Sequence, residues 1–203
     1  MGSSAELLER LAAKREDPGL ELKNAMSWAD HATKGKVIRA ALAMANKADG
    51  GVIAFGYLQG PDQPLHDLVG LSEERWASFT QDAVTSSVNA HAVPYVDLTV
   101  EHLTVDDKRV VAIVVRQFQD YPILCGKDFV DGRPVVVRGK LYCRSRRTPE
   151  STEVQSPEDM RDIVDLAVAR GLERYFRLRA IERAAEGPPA EKQFADERGD
   201  LAL

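Results

Sequence analysis

An α+β fold is what the sequence predicts, and three observations lead there. Two apolar runs, Val52-Ile53-Ala54-Phe55-Gly56-Tyr57 and Val110-Val111-Ala112-Ile113-Val114-Val115, are too short for buried helices and read as strands covered on both faces. Helical periodicity recurs around 33–47, 72–88 and 157–186. The remaining turns are too short for regular βαβ crossovers throughout, so helices and a mixed, mainly antiparallel sheet share one layered domain.

The elements follow in chain order. Residues 4–14 form a short amphipathic helix with Leu7, Leu8 and Leu11 on one face. Glu16-Asp17-Pro18-Gly19 breaks it. Leu20-Glu21-Leu22-Lys23 alternates, so the leucines share one face of a strand and Glu21 and Lys23 the other. Val37, Ile38, Ala41, Leu42 and Ala45 are the apolar side of a second helix, ended by Asp49-Gly50-Gly51. After the strand at 52–57, Gly60-Pro61-Asp62 turns the chain into a short strand at 65–69. Ser72, with Glu73 and Glu74 in the first turn, opens a third helix whose core face is Trp76, Phe79, Ala83, Val84 and Val88. Strands are predicted at 95–103 and 109–115 about a turn at Asp106-Asp107, with shorter ones near 122–125, 134–138 and 140–144. Ser156-Pro157-Glu158-Asp159 starts a long last helix, with Met160, Ile163, Val164, Ala167, Val168, Leu172, Tyr175 and Phe176 as its apolar positions. Gly187-Pro188-Pro189 stops it. The expected organisation is a domain over 1–170, a helical extension over 171–186 and a mobile tail over 187–203.

Composition narrows the function classes. The 203 residues carry 27 Lys+Arg against 32 Asp+Glu, a net charge of −5, which excludes a uniformly basic nucleic-acid coat. Yet residues 127–149 hold seven basic and two acidic side chains. Two cysteines, Cys125 and Cys143, form no CxxC pair and read as reduced buried thiols. No apolar run is long enough to span a membrane, and no apolar leader opens the chain. A cytoplasmic protein with no membrane partner is the expectation. Phosphate-loop, GxGxxG, HExxH and GxSxG patterns are absent.

The basic segment carries the sharpest expectation. If 138–147 were one extended strand, Arg138, Lys140, Tyr142, Arg144 and Arg146 would share a face, with Arg147 next to it. Cations about 7 Å apart suit a phosphate backbone, and Tyr142 could stack on a base. Lys23, Lys34, Lys36 and Arg39 add to that reading. Arg170, Arg174 and Arg177 share a face of the last helix, diluted by Glu173, Glu182 and Glu186. The apolar side of that helix suits a homodimer contact.

Glu16 and Glu21 flank the Pro-Gly turn, and two carboxylates joined by a turn can hold Mg²⁺ or Mn²⁺. The simpler alternative is a turn carboxylate plus a strand-edge Glu paired with Lys23. Glu16 followed by Glu21-Leu22-Lys23 resembles the entrance of Schlafen AlbA-like domains. Ala45-Asn46, Gly50-Gly51-Val52-Ile53-Ala54-Phe55-Gly56, Gly70, and Tyr142-Cys143-Arg144 with Thr148 are similar to later segments of that family, in the same order.

The resemblance implies an α+β domain that binds or processes DNA or RNA. Vertebrate members add metal-dependent cleavage of tRNA and rRNA on three acids. Glu16 and Glu21 match two of these, with Lys23 beside them as a catalytic candidate. Gln59 stands at the third position, with Asp62 nearby but out of register. The vertebrate zinc cluster is not reproduced by His91 and Cys125 alone. The leading expectation is nucleic-acid binding. A divergent metal-dependent endoribonuclease and a dimerising interaction module are the alternatives.

Overall fold

The computed structural model describes residues 4–59, 66–145 and 150–185. Its centre is a sheet of β1 (Leu20–Asn24), β2 (Gly51–Gln59), β6 (Lys108–Val115) and β5 (Leu98–Val105), in that order, with β3 (His66–Leu68) also on β2. β1 runs parallel to β2 and every other pairing in this sheet is antiparallel. The single parallel step is a βαβ unit through α2 (His31–Ala45).

The two apolar runs are indeed β2 and β6, and they are buried for the expected reason. Ile53, Phe55, Val111, Ile113 and Val115 point into one core with α2, α3 (Glu73–Ser78) and α4 (Gln81–Asn89). Val52, Ala54, Tyr57, Val110 and Ala112 point into the other, closed by Leu11 of α1 (Ser4–Ala12) with Leu7 and Leu8 against it. Covering both faces removes the polar side that an open sheet would show.

The periodicity over 72–88 resolves into two helices. Phe79, fully buried, leaves helical geometry, and the Thr80 side chain accepts from the Ala83 N–H to start α4. A capping threonine in mid-pattern was the signal for that break. Small pairings at β4 (Ala92–Val93) with β7 (Leu124–Cys125), and at β8 (Phe129–Asp131) with β9 (Arg133–Val136), complete the shell. β10 (Tyr142–Arg144) pairs with β11 (Ser151–Glu153), a strand the sequence reading did not contain.

α2 is buried on nearly every side because the sheet lies on one flank and these small sheets on the other. Its alanines make the close approach possible. A Cβ on Gly35 would lie 2.7 Å from the Phe129 ring, so that position has no room for a side chain. At Gly50 the backbone has φ of +67°, and a Cβ would stand 2.1 Å from the Val115 carbonyl oxygen. Gly50 is therefore dictated by packing against β6 and by chain reversal, and Gly51 by Met44 of α2, whose Sδ would stand 2.1 Å from a Cβ there.

Asn46, the C-cap of α2, is buried and fully used. Its amide nitrogen donates to the carbonyls of Ile123 and Tyr142 at 2.8 and 3.0 Å, and its oxygen accepts from the Ile123 N–H at 2.7 Å. One side chain thus fastens α2 to β10 and to the chain entering β7. Removing it strands buried backbone groups, each costly to leave unpaired. Asn46→Ala is expected to lower unfolding free energy by about 3 kcal/mol, read from urea denaturation.

α5 (Pro157–Ala185) meets the body of the domain through few of its apolar positions. Of the eight apolar positions assigned to it, only Ile163 is fully buried; Met160, Val164, Val168, Leu172, Tyr175 and Phe176 are exposed. Ser156 caps its start, accepting from the Asp159 N–H at 3.0 Å. No helix among the described residues is long and apolar enough to cross a membrane.

Candidate nucleic-acid interface

The alternation of β1 sets the site. Leu20 and Leu22 enter the core under α1, which turns Glu21 and Lys23 to the opposite face, towards β10 and β11. Glu21 is 6% exposed. One of its oxygens meets Lys23 Nζ at 2.5 Å, and the other accepts from Arg144 Nη1 at 2.5 Å and from the Ser151 hydroxyl at 3.0 Å. Arg144 also donates to the Asp17 carbonyl at 3.4 Å, and its side chain is 1% exposed. Glu16 is turned back onto the backbone, where it accepts from the Leu22 N–H at 2.8 Å.

Glu16, Lys23, Arg39, Val135, Glu150 and Glu153 line a cleft of about 550 Å³ that also reaches Glu21. The three residues proposed as catalytic, Glu16, Glu21 and Lys23, therefore do meet in one cleft. A divalent cation does not fit them as they stand. It needs free carboxylate oxygens, and Glu21 already faces two cations and a hydroxyl. No group of three or more acids, histidines or cysteines placed to hold a metal occurs among the described residues. What the structure shows is the simpler sequence alternative, a turn carboxylate plus a Glu paired with Lys23, enlarged by Arg144 and Ser151. Gln59's side chain and Asp62 lie outside what is described.

The single basic face requires correction. Residues 138–147 are not one strand. Arg138-Gly139 forms a turn with Gly139 at φ +80°, and β10 starts only at Tyr142. All three residues of β10 are buried. The Tyr142 ring cannot stack on a base, because it lies in the core and its hydroxyl accepts from the Val137 N–H at 2.9 Å. Arg144 points inward because Glu21 holds it. Lys140 remains outside, paired with Glu153 at 2.7 Å. Arg138 is exposed, with its backbone N–H held by Asp128 at 2.5 Å. Arg146 and Arg147 lie outside the described residues.

Burial raises the Tyr142 phenol and pushes the Cys143 thiol up to about 11. Cys125 is raised as well, again mainly by burial. Both thiols stay protonated at neutral pH, which makes them poor nucleophiles and poor metal ligands.

The exposed cations sit on a different arrangement from the one expected. Lys36 and Arg39 occupy the outer side of α2, and Arg39 shares the cleft with Lys23 and with Pro134 and Val135 of β9. Arg133 precedes that pair, and Arg138 follows Val137, which also lines the cleft. Lys127 leads into β8. Lys36, Arg39, Lys127, Arg133 and Arg138 form no ion pair among the described residues. Sequence reasoning missed Ser151, whose segment carries little strand pattern, and the packing of β8–β9 beside α2, which no local pattern reports.

These features define an α+β domain with a mixed sheet, a buried acid–guanidinium lock and a partly basic outer rim. The family model described as Schlafen, AlbA_2 matches residues 16–152, and the chain belongs to that family. Two solved structures are similar. The DIP2311 protein from Corynebacterium diphtheriae has 15% identity and a TM-score of 0.48, with 78% of this chain and 27% of that chain covered. The N-terminal domain of a RecG-related protein from Nitrosomonas europaea has 22% identity and a TM-score of 0.39, with 58% and 74% covered. The chain thus spans about a quarter of the length of the first. No curated protein is similar enough to match.

Because Glu21 and Arg144 are buried together, deleting Arg144 leaves the Glu21 carboxylate with Lys23 and Ser151 only, and deleting Glu21 leaves the Arg144 guanidinium without a carboxylate. Arg144→Ala is expected to cost about 4 kcal/mol in urea denaturation. The double variant Glu21→Leu with Arg144→Met should lose much less than the two single losses combined, because both buried charges then leave together.

Proposed function

We propose that the protein binds nucleic acid along the outer side of α2 and the neighbouring β8–β9 hairpin, through Lys36, Arg39, Arg133 and Arg138, with Lys127 at the edge. The observation that carries this reading is a set of exposed cations that form no ion pair among the described residues, in a chain of net charge −5: Arg39 lines the cleft, and Arg133 and Arg138 adjoin its lining residues Pro134 and Val137. Membership of the Schlafen AlbA_2 family supports it. The cations contact phosphates, which fixes position on a backbone and leaves sequence unread. Glu16, Glu150 and Glu153 at the cleft repel a polyanion from its floor, so the strand lies across the rim. Arg144 and Tyr142 act from inside, by holding the strands that carry the rim.

The runner-up as an activity, metal-dependent RNA cleavage on Glu16 and Glu21, has no observation in its favour beyond the family match, since both carboxylates are engaged. Self-association through α5 is a second reading with its own support, the exposed apolar side chains of that helix.

About four phosphate contacts imply a slope near −4 in log affinity against log salt for duplex DNA. Arg39→Ala with Arg138→Ala should weaken binding of both duplex DNA and tRNA, and should reduce that slope by about 2, as measured by fluorescence anisotropy at several salt concentrations. Unchanged affinity and slope would place the contact elsewhere.

A further inference from the structure

We propose that two copies of the protein pair antiparallel along α5, crossing near Gly171. The proposal rests on the self-association reading of this helix and specifies its geometry. α5 is 29 residues long, about 43 Å. Its first half is anchored by Ile163 in the core. Past residue 170 every residue with a described side chain is exposed, to 182. Arg174 touches the body there, 3.5 Å from Asp120 and 3.4 Å from the Tyr121 hydroxyl. A helical stretch of this length without a packed face is marginal in water. This one nevertheless presents Leu172, Tyr175, Phe176, Leu178 and Ile181 to solvent.

The apolar surface is continuous. Val164, Val168 and Leu172 follow one another at four-residue steps, with Tyr175 and Phe176 on the next turn. Val168 and Phe176 are 57% and 65% exposed. A patch of this kind needs a cover, and the charge pattern says which. Residues 157–170 carry four acids and two bases, net −2; residues 171–185 carry two acids and four bases, net +2. The helix is therefore complementary to itself when reversed. Antiparallel pairing sets the acidic half of one copy against the basic half of the other, and it also opposes the two helix dipoles. Parallel pairing would align like charges along the whole contact.

The midpoint of the helix supports the same geometry. Gly171 lies halfway along α5, and a Cβ there would meet nothing within 4 Å. Glycine weakens a helix, and contacts within one copy give no reason for it. In a two-fold pair the midpoint meets itself, and the missing side chain lets the two axes come close. Acidic and basic residues then flank the crossing symmetrically.

Light scattering on the full chain, free of nucleic acid, tests the pairing. Twice the chain mass is expected at roughly 100 µM protein, consistent with a micromolar dissociation constant. Leu172→Glu with Phe176→Glu should weaken association by about 100-fold or more, with the urea midpoint of the domain unchanged because neither side chain is in the core. A monomer at that concentration, or a dimer indifferent to both substitutions, overturns self-association through α5 and leaves a different partner for its apolar face. Orientation is read from a spin label at Glu182→Cys, with the unsubstituted chain as control for the buried Cys125 and Cys143. Antiparallel copies crossing at Gly171 place the two labels about 35 Å apart, and parallel copies under about 20 Å. A short distance in an established dimer overturns the antiparallel geometry alone.

Discussion

A carboxylate at position 21 and a guanidinium 123 residues later meet in the interior, and the architecture around the cleft depends on that meeting. Among the described residues no strand pairs with the outer edge of β1 in the central sheet. Glu21 draws β10 and β11 over its inward side, through Arg144 and Ser151. Charges taken out of water are costly unless their partners are complete. Here Lys23, Arg144 and Ser151 complete the carboxylate, while Arg144 reaches on to the Asp17 carbonyl. The lock positions the small sheet, and Asn46 binds the same small sheet to the end of α2. Three buried polar side chains, Glu21, Arg144 and Asn46, thus assemble the parts that no continuous hydrogen-bonded sheet joins.

That arrangement separates two roles which one linear motif had merged. Residues along 138–144 appear in sequence as a single basic stripe. In the fold Arg138 is outside, Lys140 is paired at the surface, and Arg144 is an internal strut. The outward charge comes instead from α2, the β8–β9 hairpin and the turn at 138–139. An acidic chain can therefore offer a polyanion one restricted rim, and its carboxylates elsewhere discourage other docking modes.

The parts of the fold legible in the sequence were those with strong local patterns. The apolar runs of β2 and β6, the Gly-Gly turn and the capped start of α5 all follow from backbone and burial rules acting over a few residues. The alternation of Leu20-Glu21-Leu22-Lys23 correctly put the two charged residues on one face. The inward turn of Arg144 was not legible, because its cause is a partner 123 residues away. β11 was hidden for a similar reason: Ser-Thr-Glu has little strand pattern and is ordered by Glu21 and by pairing with β10. The split between α3 and α4 turned on one threonine inside an otherwise continuous helical period. The apolar periodicity of α5 marks a helix, but period alone does not say whether a face packs within one chain or against another.

Glu21 is a buried acid held by Arg144, and the proposed polyanion contact lies on the rim beside it. Amide-shift mapping by NMR tests this most directly, with Mg²⁺ added first and a short nucleic-acid duplex second. Mg²⁺ is expected to leave Glu16, Glu21 and Ser151 unmoved, and the duplex to shift residues 36–39 and 133–138. Large shifts at Glu16, Glu21 and Ser151 with Mg²⁺ alone, or a duplex response centred on them, would contradict it.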